Sequence, residues 1–171
     1  MSTILQANRA LTRKSAHGSG VIRPQVTRGR NSATGSFKNS HSDFFIDFCN
    51  IRGLSSNLDS VHNHLQHSKP DLLFLTETQI SHKFDKNNLN FPMYHTTTNL
   101  KFKGGIVCYH KNSVPLSHLM DCSTQHYQFS FFKISLPHHK KYICAIYRSP
   151  NTPNDSDFFN VLSNKILQLN P

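Results

Sequence analysis

At 171 residues the chain has room for one domain of ordinary size, and an apolar fraction of 36% is low but enough for a packed core. The formal net charge is +10, and most of it sits in the first 42 residues, which hold seven Lys or Arg and no acid; from Asp43 onward twelve basic residues face nine acidic ones. No run approaches the ~18 continuous apolar residues of a membrane-spanning helix, and Cys49, Cys108, Cys122 and Cys144 form no C-x-x-C pair, so a spanning helix and a paired-thiol redox or zinc motif are both excluded.

Residues 1–42 read as a basic tail that salt-sensitive attraction draws to nucleic acid or to an anionic membrane. Their Arg and Ser without acids also match a mitochondrial transit peptide, although Gly, Pro and scattered polar residues interrupt any continuous amphipathic helix. Three of the four cysteines fall in apolar runs, which suits reduced, packed thiols and an intracellular protein, nuclear or cytoplasmic, with the mitochondrial matrix as the competing address.

Phe44 to Cys49 is almost wholly apolar and predicts a short central strand. Asn50-Ile51-Arg52-Gly53 is a turn signal. Leu54, Leu58, Val61 and Leu65 then recur at helical spacing, with Ser55 and Ser56 available as N-caps, and Lys69-Pro70 ends the helix. Asp71 to Leu75 predicts a second buried strand running into Thr76-Glu77-Thr78. Strand, helix, strand predicts a βαβ unit with parallel strands, which brings the loop after the first strand and the end of the second to one edge of the sheet.

Beyond Gln79 an Asn- and Lys-rich stretch reads as a surface loop. Three further strands are expected at Gly105 to His110, His126 to Ser135 and Lys141 to Arg148, separated by short turn-forming intervals and paired antiparallel. After Pro150 and Pro153, Asp155 or Ser156 can cap a closing helix that presents Phe158, Leu162, Ile166 and Leu169 on one side.

Glu77 is the only glutamate, at the end of a buried strand, where an unpaired carboxylate is costly and a hard divalent cation would be a suitable partner. The plainer reading is a strand-end acid that is solvated or paired with a lysine. Asn50 ends the first strand at the same edge, although asparagine after a strand is commonly a turn residue. Tyr147-Arg148-Ser149-Pro150-Asn151 combines a phenol, a guanidinium and an amide, all able to donate to phosphate oxygens; an ordinary strand exit into a turn explains the same residues. His62, His64 and His67 share a helix, but no acid or cysteine completes a ligand set, so they read as a solvated face, as does His138-His139 in a hairpin loop.

The stretches Asp47 to Leu54, Lys69 to Thr78, Gly104 to Val107 and Ala145 to Asn151 resemble the opening motifs of the endonuclease/exonuclease/phosphatase superfamily. Within it they are most similar to endonuclease domains of LINE-type (non-LTR) retrotransposons. The resemblance runs from about Asp43 to the end and leaves the tail uncovered. It implies an α/β fold, the DNase I-like α/β sandwich with a mixed sheet and flanking helices, of which only about one sheet is expected here, leaving apolar faces open.

The resemblance further implies Mg2+ or Mn2+ as cofactor, DNA as partner, and no membrane or small-molecule cofactor. Asn50 would position the reactive phosphate, Glu77 ligate the metal, Tyr147 contact the phosphate or attacking group, and Arg148 and Asn151 hold the nucleic acid. Arg52 departs from the apurinic-endonuclease pattern, which has an acid there. The family's later G-D-x-N segment and Asp-His pair do not occur before Pro171, so a truncated endonuclease domain with activity near zero is expected. A non-catalytic nucleic-acid binder using the basic tail, and a phosphatase acting on lipid or small phosphates, are the alternatives.

Overall fold

A computed structural model describes residues 44–80, 83–101, 103–152 and 155–169. The basic tail, residues 1–42, and its boundary at Asp43 lie outside the described residues.

The first strand, β1 (Ile46–Asn50), is followed by helix α1 (Leu58–Ser68) and strand β2 (Leu72–Thr76), and β1 and β2 pair in parallel from Ile46↔Leu72 to Asn50↔Thr76. The βαβ unit is therefore as its hydrophobic spacing requires. Val61 and Leu65 are buried on α1, but Leu54 is not a helical residue: it is fully buried in the turn before the helix. The N-cap is Asn57 rather than either serine, and it makes no capping bond with its side chain. Its amide instead donates to the carbonyls of Gly53 at 2.7 Å and Ile51 at 3.3 Å, so it is committed to holding the β1–α1 loop. Lys69 closes the helix in the left-handed region, φ 48°.

The stretch after Gln79 is not all loop. A short 3-10 turn at Lys86–Leu89 leads to strand β3 (Tyr94–Asn99), an edge strand of Thr-rich sequence. Threonine is β-branched and suits a pleated surface, but on an edge it supplies no apolar alternation for a sequence reading to find. Strand β4 (Ile106–Lys111) pairs antiparallel with both β3 and β2, giving a mixed sheet in the order β1-β2-β4-β3, so β1, expected in the middle of a sheet, lies instead at its edge and is half-buried.

Three strands make the second sheet: β5 (Leu116–Ser123), β6 (Tyr127–Ser135) and β7 (Lys140–Arg148), all antiparallel and in that order. The expected β6 and β7 are present as a hairpin, with His138 and His139 in its loop. β5 was hidden because a register shift between His118 and Met120 breaks its alternation. The expected strand at Gly105 to His110 does not join this hairpin but belongs to the first sheet.

The sheets stack face to face. Leu72, Phe74, Ile106 and Cys108 from the first meet Phe132, Ile134, Ile143, Ala145 and Tyr147 from the second, with Phe74 and Phe132 rings 5.4 Å apart. On the outer face of the first sheet Leu73, Leu75, Val107 and Tyr109 pack under Val61 and Leu65 of α1. On the outer face of the second, Phe129, Phe131 and Cys144 pack under helix α2 (Asp155–Leu169), through Phe158, Leu162, Ile166 and Leu169. The result is a helix-sheet-sheet-helix sandwich. The expectation that only about one sheet is present, with apolar faces standing open, is corrected: the described residues include two sheets, and a layer covers each sheet face.

All four cysteines are free, Cys108 and Cys144 buried and Cys49 and Cys122 half-buried. The α1 histidines differ from the solvated face expected of them. Only His67 is fully exposed; His62 lies against the Phe91 ring at 5.1 Å, and His64 Nε2 is 2.7 Å from the Asp47 carboxylate. Ser68 Oγ is 3.2 Å from His64 Nδ1, completing an Asp-His-Ser chain that ties α1 to β1. This hydroxyl sits in the last residue of α1, at the negative end of the helix dipole, which is the wrong place for a nucleophile that must generate an oxyanion.

Candidate functional site

The C-terminal ends of parallel strands β1 and β2 deliver Asn50 and Glu77 to one edge of the first sheet, since Asn50 is opposite Thr76, the residue before Glu77. The pairing continues past both strands. Ile51 N–H donates to Thr76 O at 2.9 Å, Gly53 N–H to Glu77 O at 2.8 Å, and Leu54 N–H to Thr78 O at 2.8 Å. β4 runs the opposite way, so its beginning arrives at the same edge: Gln79 N–H donates to Gly104 O at 2.7 Å and Thr78 N–H to Gly105 O at 3.3 Å.

The backbone of this rim is strained. Arg52, Glu77 and Gln79 have φ of 49°, 53° and 51°, a region that costs a residue bearing a Cβ ~1–2 kcal/mol. Such outliers survive only where surrounding bonds impose them, and they concentrate at functional sites.

Tyr147 comes from the second sheet, one residue before the end of β7, and its ring faces the layer between the sheets. It packs so closely on Gly104 that a Cβ built there would lie 3.0 Å from Tyr147 Cε1. Burial pushes the Tyr147 phenol above its ordinary range, and the negative charge of the nearby Glu77 carboxylate pushes it the same way, while Ser149 opposes both. The phenol and carboxylate thus meet across the two sheets. On the β1 side, Asn50 Oδ1 is buried without a hydrogen-bonding partner.

Asn50, Glu77 and Tyr147 are therefore brought to one rim. Arg148 is not brought with them: strand alternation turns it to the opposite face, where its guanidinium lies 5.5 Å from the centre of the Phe158 ring on α2. Asn151 is exposed in the turn that follows. Sequence reasoning missed Gln128, a fully buried amide directly opposite Tyr147 on β6. Its signal was a large polar residue, with Ser130 the other polar one, inside the aromatic run Tyr127 to Phe132.

A carboxylate and an unpartnered buried amide oxygen are hard donors, suited to Mg2+ or Mn2+ rather than to ions that seek thiolate or imidazole. Among the described residues no three His, Cys, Asp or Glu side chains cluster to form a complete protein cage. An ion held here would keep several waters or substrate oxygens, which is the habit of Mg2+.

No protein-family model matches the chain, and no curated protein matches it. Solved structures do. TDP2 from C. elegans superposes with a TM-score of 0.54 at 13% identity, over 74% of this chain and 43% of that one. A truncated TDP2 from the same organism gives 0.53 at 13% identity, over 74% and 55%. AP endonuclease LMAP from Leishmania major gives 0.47 at 16% identity, over 61% and 40%. The chain spans about half the length, or less, of these structures. The described residues have the endonuclease/exonuclease/phosphatase, or DNase I-like, fold.

Proposed function

We propose that this chain carries the metal- and phosphate-binding edge of a metal-dependent phosphodiesterase domain acting on DNA, of the kind found in LINE-type retrotransposon endonucleases. The observation that carries the reading is the convergence of Glu77, Asn50 and Tyr147, from three strands of two sheets, on one strained rim. The fold likeness to TDP2 and the motif resemblance at the same residues support it.

In this reading Glu77 and Asn50 Oδ1 hold Mg2+ or Mn2+. The ion, when bound, supplies Lewis-acid polarisation of a phosphoryl oxygen. Tyr147 donates its O–H to the phosphate, and Asn151, exposed beyond it, donates to the backbone of the nucleic acid. Arg148 contributes long-range positive charge, its guanidinium being stacked on Phe158. Hydrolysis also needs a group that activates water, and Glu77, the one carboxylate placed at the rim among the described residues, cannot both ligate a metal and serve as general base. The chain by itself accordingly binds metal and phosphate with turnover near background.

The test is Mn2+ binding, by electron paramagnetic resonance, with a short DNA duplex and the 171-residue chain, alongside a supercoiled-plasmid nicking assay in Mg2+. Binding that disappears in Glu77→Gln, with nicking at background in both proteins, is the expected result. Unchanged binding in Glu77→Gln refutes the metal assignment, and Glu77-dependent nicking at ordinary enzyme rates refutes the inactivity.

A second reading rests on the seven basic residues and no acid before Asp43: a nucleic-acid binder without catalysis. It requires DNA affinity that falls steeply with salt and vanishes when residues 1–42 are removed.

A further inference from the structure

Gln128 is fully buried and every polar atom of its amide is engaged. Its Oε1 accepts the Gly105 N–H at 2.6 Å, while Nε2 donates to Asn99 Oδ1 at 3.1 Å, Ser123 Oγ at 3.2 Å and, at the limit of bonding distance, Asn99 O at 3.4 Å. These partners lie on different sides of the sandwich: Asn99 ends β3 and Gly105 immediately precedes β4 of the first sheet, while Ser123 and Gln128 itself belong to the second. A buried amide crossing a sheet interface is costly to desolvate and offers less than an apolar side chain of the same volume unless all its bonds are made. Packing alone does not call for it here.

What the amide does fix is the spacing of the rim. Gly105 and its neighbour Gly104 hold Thr78 and Gln79 by backbone bonds, and those residues carry Glu77. Gln128 and Tyr147 are paired across β6 and β7, and both press on Gly104: a Cβ there would fall 2.7 Å from Gln128 Oε1 and 3.0 Å from the Tyr147 ring. One amide therefore connects the strand that carries the phenol to the turn that supports the carboxylate. A second tie runs nearby, where the Lys101 ammonium is bonded to the carbonyls of Thr124 and Gln125. Through these bonds Lys101 holds the β3–β4 loop to the β5–β6 turn, and its backbone lies beside Gly105.

We propose that Gln128 is a positioning residue, which sets the separation of Tyr147 and Glu77 across the two sheets through its bond to the Gly105 N–H. The proposal rests on the reading of this rim as a metal and phosphate site, but the position itself can be measured without metal. Replacing Gln128 by Met keeps the volume and removes the bonds.

The experiment uses the full chain with 13Cζ-labelled tyrosine, the Tyr147 resonance being assigned from Tyr147→Phe. In the unsubstituted background, Glu77→Gln at neutral pH shifts that resonance, because the phenol loses a neighbouring negative charge. In the Gln128→Met background the same Glu77→Gln change moves it far less, while the Tyr94 and Tyr109 resonances stay in place. Mn2+ affinity, read from paramagnetic broadening of Tyr147, falls by about tenfold, the order expected when support behind a metal ligand is lost. A merely structural role would lower stability and leave the Glu77-dependent shift intact, and that result overturns the proposal. Should Gln128→Met fail to fold, Ser123→Ala removes one acceptor of the amide at an exposed position and must reduce the shift in the same direction; an unchanged shift there also overturns it. If the unsubstituted chain shows no Mn2+ broadening while the shift coupling still depends on Gln128, the metal reading falls and the positioning role stands. Broadening equal in both backgrounds, with the coupling intact, overturns the positioning role and leaves the metal reading in place.

Discussion

Adding one methyl group at either of two adjacent glycines separates strain in the backbone from crowding in the site. At Gly104 the new Cβ meets Gln128 Oε1 at 2.7 Å and the Tyr147 ring at 3.0 and 3.2 Å, with no positive φ to oppose it. Both neighbours are buried and held, so they must give way together; overpacking of this kind costs ~1–3 kcal/mol. Restricting the unfolded chain returns ~0.5–1 kcal/mol, leaving a net loss of about 0–2.5 kcal/mol for Gly104→Ala. At Gly105 the φ of +96° adds ~1–2 kcal/mol of strain, and the Cβ would fall 2.2 Å from Thr78 Oγ1, a fully buried side chain without room to retreat. Gly105→Ala should therefore lose about 1–4.5 kcal/mol, more than Gly104→Ala by the strain at its positive φ. Urea unfolding followed by circular dichroism measures both, and Tyr147 should move in Gly104→Ala. A Gly104→Ala cost equal to or above that of Gly105→Ala, or no cost in either, refutes this account of the rim.

Further expectations concern groups away from the glycines. Burial pushes the Asp71 carboxyl up, but the Lys111 ammonium at 2.8 Å and the Phe45 N–H at 2.8 Å outweigh it and hold the group below the ordinary carboxylate range. Its folded value is depressed, so its contribution is present above about pH 4 and lost as pH falls through the lowered value. Asp71→Ala should cost ~1 kcal/mol, after allowance for the partial exposure of the pair, and flatten the acid limb of a stability-pH curve; an unchanged limb refutes the assignment. Burial raises the phenols of Tyr94, Tyr109, Tyr127 and Tyr147, so phenolate absorbance of the folded chain should lag that of the urea-unfolded chain. Stability is then complete below about pH 10 and declines above it, where only the unfolded chain ionises freely. Burial pushes the Cys108 thiol up strongly and that of Cys144 up to about 12, and a disulfide reagent should modify these two only as fast as the protein opens. Lys69→Gly should stabilise the chain by ~0.5–1 kcal/mol in thermal or urea unfolding, because glycine takes the left-handed position at the end of α1 without a Cβ penalty.

The parts of the fold legible in the sequence were those with an unbroken apolar period. Leu58, Val61 and Leu65 announced α1, Phe158 to Leu169 announced α2, and the flanking apolar runs announced β1, β2, β6 and β7. β3 and β5 escaped for physical reasons: Tyr94–Asn99 lies on an edge and is half-buried polar sequence, and the bulge at His118 to Met120 throws β5 out of alternation. Without those two strands, the division of the chain into two sheets could not be read. Of the proposed site, the placing of Asn50, Glu77 and Tyr147 on one rim was legible because each lies at or next to the end of a strand read from its apolar run. Gln128 and the Gly104–Gly105 turn were not, since their part depends on contact between sheets. Arg148 sits next to Tyr147 in sequence, yet alternation along β7 sends it to the far side.

The ladder of bonds from Ile51 to Leu54 along Thr76 to Thr78 has a mechanical consequence. The two loops leave the sheet as a laminate, so neither can bend without shearing the other, and Asn57 clamps the outer ply. Under the function proposed for this rim, a ligand would meet a contour stiffened before contact, and little ordering entropy would be spent there on encounter.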